Sequence, residues 1–152
     1  MFNYRDPLQD LLEKYKEYAP IILRLVAGYV FFVHGLAKFT GGVDKVAGFF
    51  ATIGIPLAPV AAWFITLLEL VGGIAIIFGL ATRYLGLLFA ADMTVAIFTA
   101  HLPKNTSIEL PLTLLAMGLA LAVLGSGKYG LDDVLCGKKK GRSEPETHKR
   151  RR

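Results

Sequence analysis

A single cysteine, Cys136, among 152 residues rules out an internal disulfide, a CxxC redox pair or an iron–sulfur site built from this chain alone. Charge is scarce too. Asp, Glu, Lys and Arg make up 19% of the residues against 54% apolar ones, and mean hydropathy is +0.51. A soluble domain of this size needs more polar surface, so one membrane-embedded domain is the natural reading. The first nineteen residues lack the apolar core of a signal peptide, and the first apolar run is expected to stay as an anchor. No period of about 20–50 residues recurs, which argues against a solenoid.

The charge that is present is uneven. The net charge is +5, and of 17 Lys and Arg residues nine fall from Lys128 onward, ending in HKRRR. After an apolar span such a tail reads as cytoplasmic retention, with attraction to anionic lipid as an added role and no nucleic acid expected.

Four apolar runs are expected to span, at about 20–39, 60–80, 84–100 and 109–126. Residues 1–19 read as an amphipathic surface segment, because Leu8, Leu11, Leu12 and Tyr15 recur at helical spacing. Between the first two runs, VDKVAGFFATIGIPLAP is interrupted by Gly48, Gly54, Pro56 and Pro59 and reads as a short re-entrant or interfacial helix. The expectation is an all-α, polytopic membrane protein: a four-helix bundle over residues 20–135 with a basic, disordered cytoplasmic tail at 136–152. An even number of spans puts both termini on one side, and the tail selects the cytoplasmic face of the plasma membrane.

Ionisable groups inside these runs are the functional candidates, because a charge at mid-bilayer costs roughly 2.5–3.5 kcal/mol or more. Arg24, Ala27, Phe31, His34 and Lys38 share a three-and-four spacing, hence one helix face. Arg24 falls near the cytoplasmic edge, and His34 about 15 Å further out. Glu69, Asp92, Glu109 and His101 lie on the later runs and converge with His34 and Lys38 on the outer half of the bundle. Small residues beside Glu69, chiefly Gly72 and Gly73, allow another helix to approach. Either these groups pair to neutralise buried charge and fix register, or they line a polar cavity for a small polar or quinone-like ligand or for protons. A pair of histidines invites haem, but His34 and His101 are isolated, and His101, nine residues from Asp92, sits on the opposite side of its helix, so haem is not favoured. Trp63 and Tyr129 read as interface anchors.

The pattern RLVAGYVFFVHGLAKF, with Arg24, His34, Gly35 and Lys38, is followed by LLELVGG with Glu69, by FGLATR with Arg83, and by a stretch from Glu109 to LGSGKYGLD. In order and spacing it resembles the DoxX family of small four-helix membrane proteins over roughly residues 24–135. Ser126 stands where the common family form has a proline, and Asp92 is outside the family pattern. The resemblance implies links to oxidoreduction: some relatives are subunits of a thiosulfate:quinone oxidoreductase, others membrane partners of redox enzymes in oxidative-stress protection.

The first functional expectation is therefore a subunit or partner of a quinone-linked membrane oxidoreductase. In it His34 and Glu69 contact the quinone and relay protons, while Arg24, Lys38, Asp92 and Glu109 bind ligand or balance charge; no metal is expected. A second is a non-catalytic scaffold that docks soluble redox proteins through its tail. A third is a proton or small-molecule transporter, and a homo-oligomer is compatible with each.

Overall fold

In the computed structural model, which describes residues 7–127 and 129–137, every regular element is helical. Helix α1 (Pro7–Tyr15) passes through a 3-10 turn (Lys16–Tyr18) into α2 (Ala19–Gly41), and a short α3 (Val43–Thr52) follows. Then come α4 (Ala58–Phe78), α5 (Thr82–Ala96) prolonged by a π-helical turn (Ile97–His101), α6 (Glu109–Leu124) and α7 (Leu131–Gly137). Most of the expected basic tail, and Asp6 before α1, lie outside the described residues.

The protein is an all-α membrane bundle. Helices α2, α4 and α5 with its π-turn are each long and apolar enough to cross a bilayer. The fourth, α6, has 16 residues, about 24 Å against a hydrocarbon core of about 30 Å. Three helices thus reach spanning length unaided, and α6 is held by packing along α5. Outward-facing side chains such as Ile22, Tyr29, Val71, Leu87 and Val123 are apolar and exposed, as lipid contact requires. On α1, Leu11, Leu12 and Tyr15 form an exposed apolar stripe, and Tyr18 stacks on Tyr129 at 5.8 Å.

The bundle is built from two tight antiparallel pairs, α2 with α4 and α5 with α6, which touch each other more lightly. Lipid offers no hydrophobic drive for helix association, so close approach of backbones over small residues supplies the packing. A Cβ placed on Gly28 would lie 2.7 Å from the Gly73 carbonyl oxygen, and one on Gly35 would overlap the backbone of Leu70. In the second pair, a Cβ on Gly86 would come 2.7 Å from the Gly118 oxygen. Between the pairs, the buried rings of Phe31 and Phe89 stack at 3.7 Å and within 7° of parallel.

The end of the bundle where α2 begins, here the proximal end, is closed by polar contacts. Helix α4 stops in a Schellman turn: Gly79 donates its N–H to the Ile76 carbonyl and Leu80 to that of Ala75, both at 2.9 Å. Asp132 then accepts from the amides of Ala81 (2.7 Å) and Thr82 (2.9 Å), capping α5 from 50 residues away. Arg83 donates to the last carbonyls of α6, on Ala122 and Val123. Gly125, at φ 76° and ψ −161°, occupies a region essentially confined to glycine. The chain there turns under the bundle, and the Ser126 carbonyl accepts from buried Arg24 at 2.6 Å. Because the bond uses a backbone oxygen, it does not depend on the side chain at position 126.

Candidate functional site

Glu69 lies ten residues before Gly79, and Asp92 ten after Thr82. The α4–α5 hairpin therefore brings both carboxylates to one level, about 15 Å from the turn. Gly35 of α2 abuts the backbone of Glu69 and Leu70. One turn beyond it is Lys38, whose Cβ points back toward the start of its helix, and its ammonium forms an ion pair with Glu69. Glu69 is only 2% exposed and Lys38 28%. The Asp92 carboxyl is close enough to feel both charges, and its Oδ2 finds no hydrogen-bond partner among the described residues. One cation thus faces two carboxylates in an apolar bundle.

These three groups line a cavity of about 660 Å³ bounded by α3, α4, α5 and the end of α2. Its walls are otherwise chiefly apolar, including Phe50, Phe64, Ile65, Leu68, Leu88 and Met93, with Lys45 and His101 toward the distal end. One turn below, the stacked Phe31 and Phe89 fill the bundle centre toward the proximal end.

Of the sequence candidates, the structure gathers Lys38, Glu69, Asp92 and His101 around one space and leaves the others outside. His34 is exposed, its Nδ1 paired with the Val30 carbonyl of its own helix at 2.8 Å. The buried face of α2 runs through Arg24, Ala27, Gly28, Phe31 and Gly35, and His34 falls about 80° from its centre. Glu109 is exposed in the first turn of α6 and does not line the cavity. Arg24 is at the opposite end, in the proximal clamp. His101 reaches the cavity despite its nine-residue distance from Asp92, because Ile97–His101 is a π-turn in which Leu102 donates to Ile97 at 2.9 Å. One extra residue in a turn shifts later side chains by about 100°. No group of three or more His, Cys, Asp or Glu suited to a metal occurs among the described residues.

Comparison with known proteins places this architecture. The DoxX family profile matches residues 19–102, from the start of α2 past the π-turn. A Bacillus subtilis (strain 168) protein named "Putative oxidoreductase CatD" is 41% identical over 133 residues, 86% of this chain and 97% of that one. A Haemophilus influenzae (strain ATCC 51907 / DSM 11121 / KW20 / Rd) protein, named "Uncharacterized protein", is 35% identical over 115 residues, 76% of this chain and 81% of the other. No solved structure matches. With most of its bundle inside the matched region and a near-full-length relative above 40% identity, the chain belongs to the DoxX family.

Proposed function

We propose that the protein is the quinone-handling membrane subunit, or partner, of an oxidoreductase, and that the cavity floored by Lys38, Glu69 and Asp92 is its quinone site. The observation that carries this reading is the cavity itself: apolar walls of about 660 Å³ around one polar end, the usual build of a small-molecule site. The residues fit such a group. Lys38 can donate to a ring oxygen, and the partnerless Oδ2 of Asp92 leaves one polar atom for a ligand to satisfy. A bound quinone supplies a bilayer-soluble carrier of two electrons and two protons.

The chain's own residues then have distinct tasks. Lys38 holds the Glu69 carboxylate in place and gives the site its positive charge. Its single charge balances one carboxylate, so Glu69 and Asp92 together can take up and hand on a proton at their facing oxygens. The apolar walls keep water from the ring, and the Phe31–Phe89 stack seals the site from the proximal end. His34, exposed on the flank of α2, and Arg24, bound into the proximal clamp, are outside this set. Electrons enter from a redox partner protein. The proximal end faces the cytoplasm of the plasma membrane in this reading, because Arg83 is at that end and α7, which the basic run follows in sequence, caps α5 there. The name carried by the Bacillus relative supports the redox class.

Gently solubilised native protein, extracted and assayed for quinone by mass spectrometry, tests the reading. Quinone is expected with wild type and His34→Ala and absent from Glu69→Ala. Its absence from wild type, or its retention in Glu69→Ala, contradicts the assignment.

A further inference from the structure

We infer that the cavity opens sideways into the bilayer through the seam between α4 and α5, so that its ligand is a membrane-dissolved molecule that keeps an apolar tail in that seam. The inference takes from the proposal above that the cavity is a ligand site, and adds the route of entry and the part of the ligand that lies outside.

The seam follows from how the bundle is paired. Helices α4 and α5 belong to different tight pairs and share far fewer neighbours with each other than with their own partners. Near the turn that joins them they still touch: a Cβ on Gly72 would lie 3.2 Å from Phe89 and 3.3 Å from Leu85. Beyond the facing Glu69 and Asp92, toward the distal end, the two helices no longer meet and their facing sides line the cavity.

Along the seam, four wall residues border the cavity and the outer surface at once: Phe64, 55% exposed, Leu88 42%, Val95 49%, and exposed Ala91. All lie on the two long apolar helices. The distal end is narrower in its apolar exposure: Val46, Phe49 and Phe50 of α3 line the cavity there, with Phe49 37% exposed, and Lys104 sits over the Phe49 ring at 4.2 Å, tying the 102–108 loop to that side. The stacked Phe31 and Phe89 close the proximal side. A ligand entering through the seam meets Leu88 and Ala91 first and the charged floor last, which suits a polar head with an apolar tail.

Trp63 is the chain's one tryptophan, which allows a direct optical test. In a Trp63→Phe background, Ile65→Trp puts the fluorophore on the cavity wall, and Ala96→Trp on the facing helix serves if the first variant folds poorly. The full chain is reconstituted in phosphatidylcholine brominated at mid-chain. Strong quenching by the brominated chains, lost when Ala91→Phe narrows the seam and little matched by aqueous acrylamide, is expected. Quenching by acrylamide in place of the lipid, or bromolipid quenching unaltered by Ala91→Phe, overturns the portal. Calorimetry then compares a decyl-tailed benzoquinone with its tail-free head group. Tighter binding of the tailed molecule, lost in Ala91→Phe, supports the lodging of a tail, and equal affinities overturn it. If neither binds while bromolipid quenching persists, the portal stands and the quinone reading fails.

Discussion

Replacing Lys38 by methionine keeps the apolar stem of the side chain and removes only its charge, leaving Glu69, 2% exposed, beside Asp92 with no cation. Breaking a buried ion pair by deleting one partner costs about 3–5 kcal/mol, because the remaining charge stays desolvated. Lys38 keeps 28% exposure, so the lower bound, about 3 kcal/mol, is the expected loss. Adding Glu69→Gln removes the orphaned charge, so the double variant is expected to be about 2 kcal/mol more stable than Lys38→Met alone, and the two substitutions to be clearly non-additive. Reversible unfolding in mixed micelles, read by far-UV circular dichroism for wild type, both singles and the double variant, measures the cycle. A Lys38→Met variant within about 0.5 kcal/mol of wild type, or a double variant equal to the sum of the singles, would refute the reasoning.

Three further outcomes follow from the packing. Gly35→Ala pushes a methyl into the Leu70 backbone and is expected to cost about 2–3 kcal/mol in the same assay, with loss of ligand binding as α2 and α4 separate. Asp132→Ala frees two amides at the start of α5 and is expected to cost about 1 kcal/mol, while Asp133→Ala, exposed beside it, stays near wild type. His34→Ala loses only a bond within its own helix, so stability within about 0.5 kcal/mol and unchanged quinone retention are expected.

Depth is legible in the sequence of this protein, whereas azimuth is only partly so. Equal distances from a short turn put Glu69 and Asp92 at one level, and the two glycines after Glu69 mark a close helix contact, although only Gly73 meets α2 while Gly72 faces Phe89 and Leu85. A three-and-four spacing holds His34 and Lys38 within one broad face, yet the true centre of that face is set by Gly35 against Leu70, which turns His34 outward. His101 is hidden from any count of residues, because the π-turn that rotates it into the cavity is a tertiary choice of backbone. Arg24 is legible as an edge residue, but its acceptor on Ser126 is 102 residues away. The cap from Asp132 is hidden for the same reason: it lies about 50 residues from the amides it accepts from, and only the fold shows that this residue of α7 holds the start of α5.

The central claim, that the space above Lys38, Glu69 and Asp92 is the quinone site, is tested most directly by photo-crosslinking. A decyl-tailed benzoquinone carrying an aryl azide is photolysed with the full protein in bilayers, and the labelled peptides are mapped by mass spectrometry. Adducts confined to the cavity walls, around Ile65 to Glu69 on α4 and Leu88 to His101 on α5, and lost in Glu69→Ala, are the expected result. Adducts gathered on the exposed flank of α2 around His34, or spread evenly over the lipid-facing surface whether or not Glu69 is present, would contradict it.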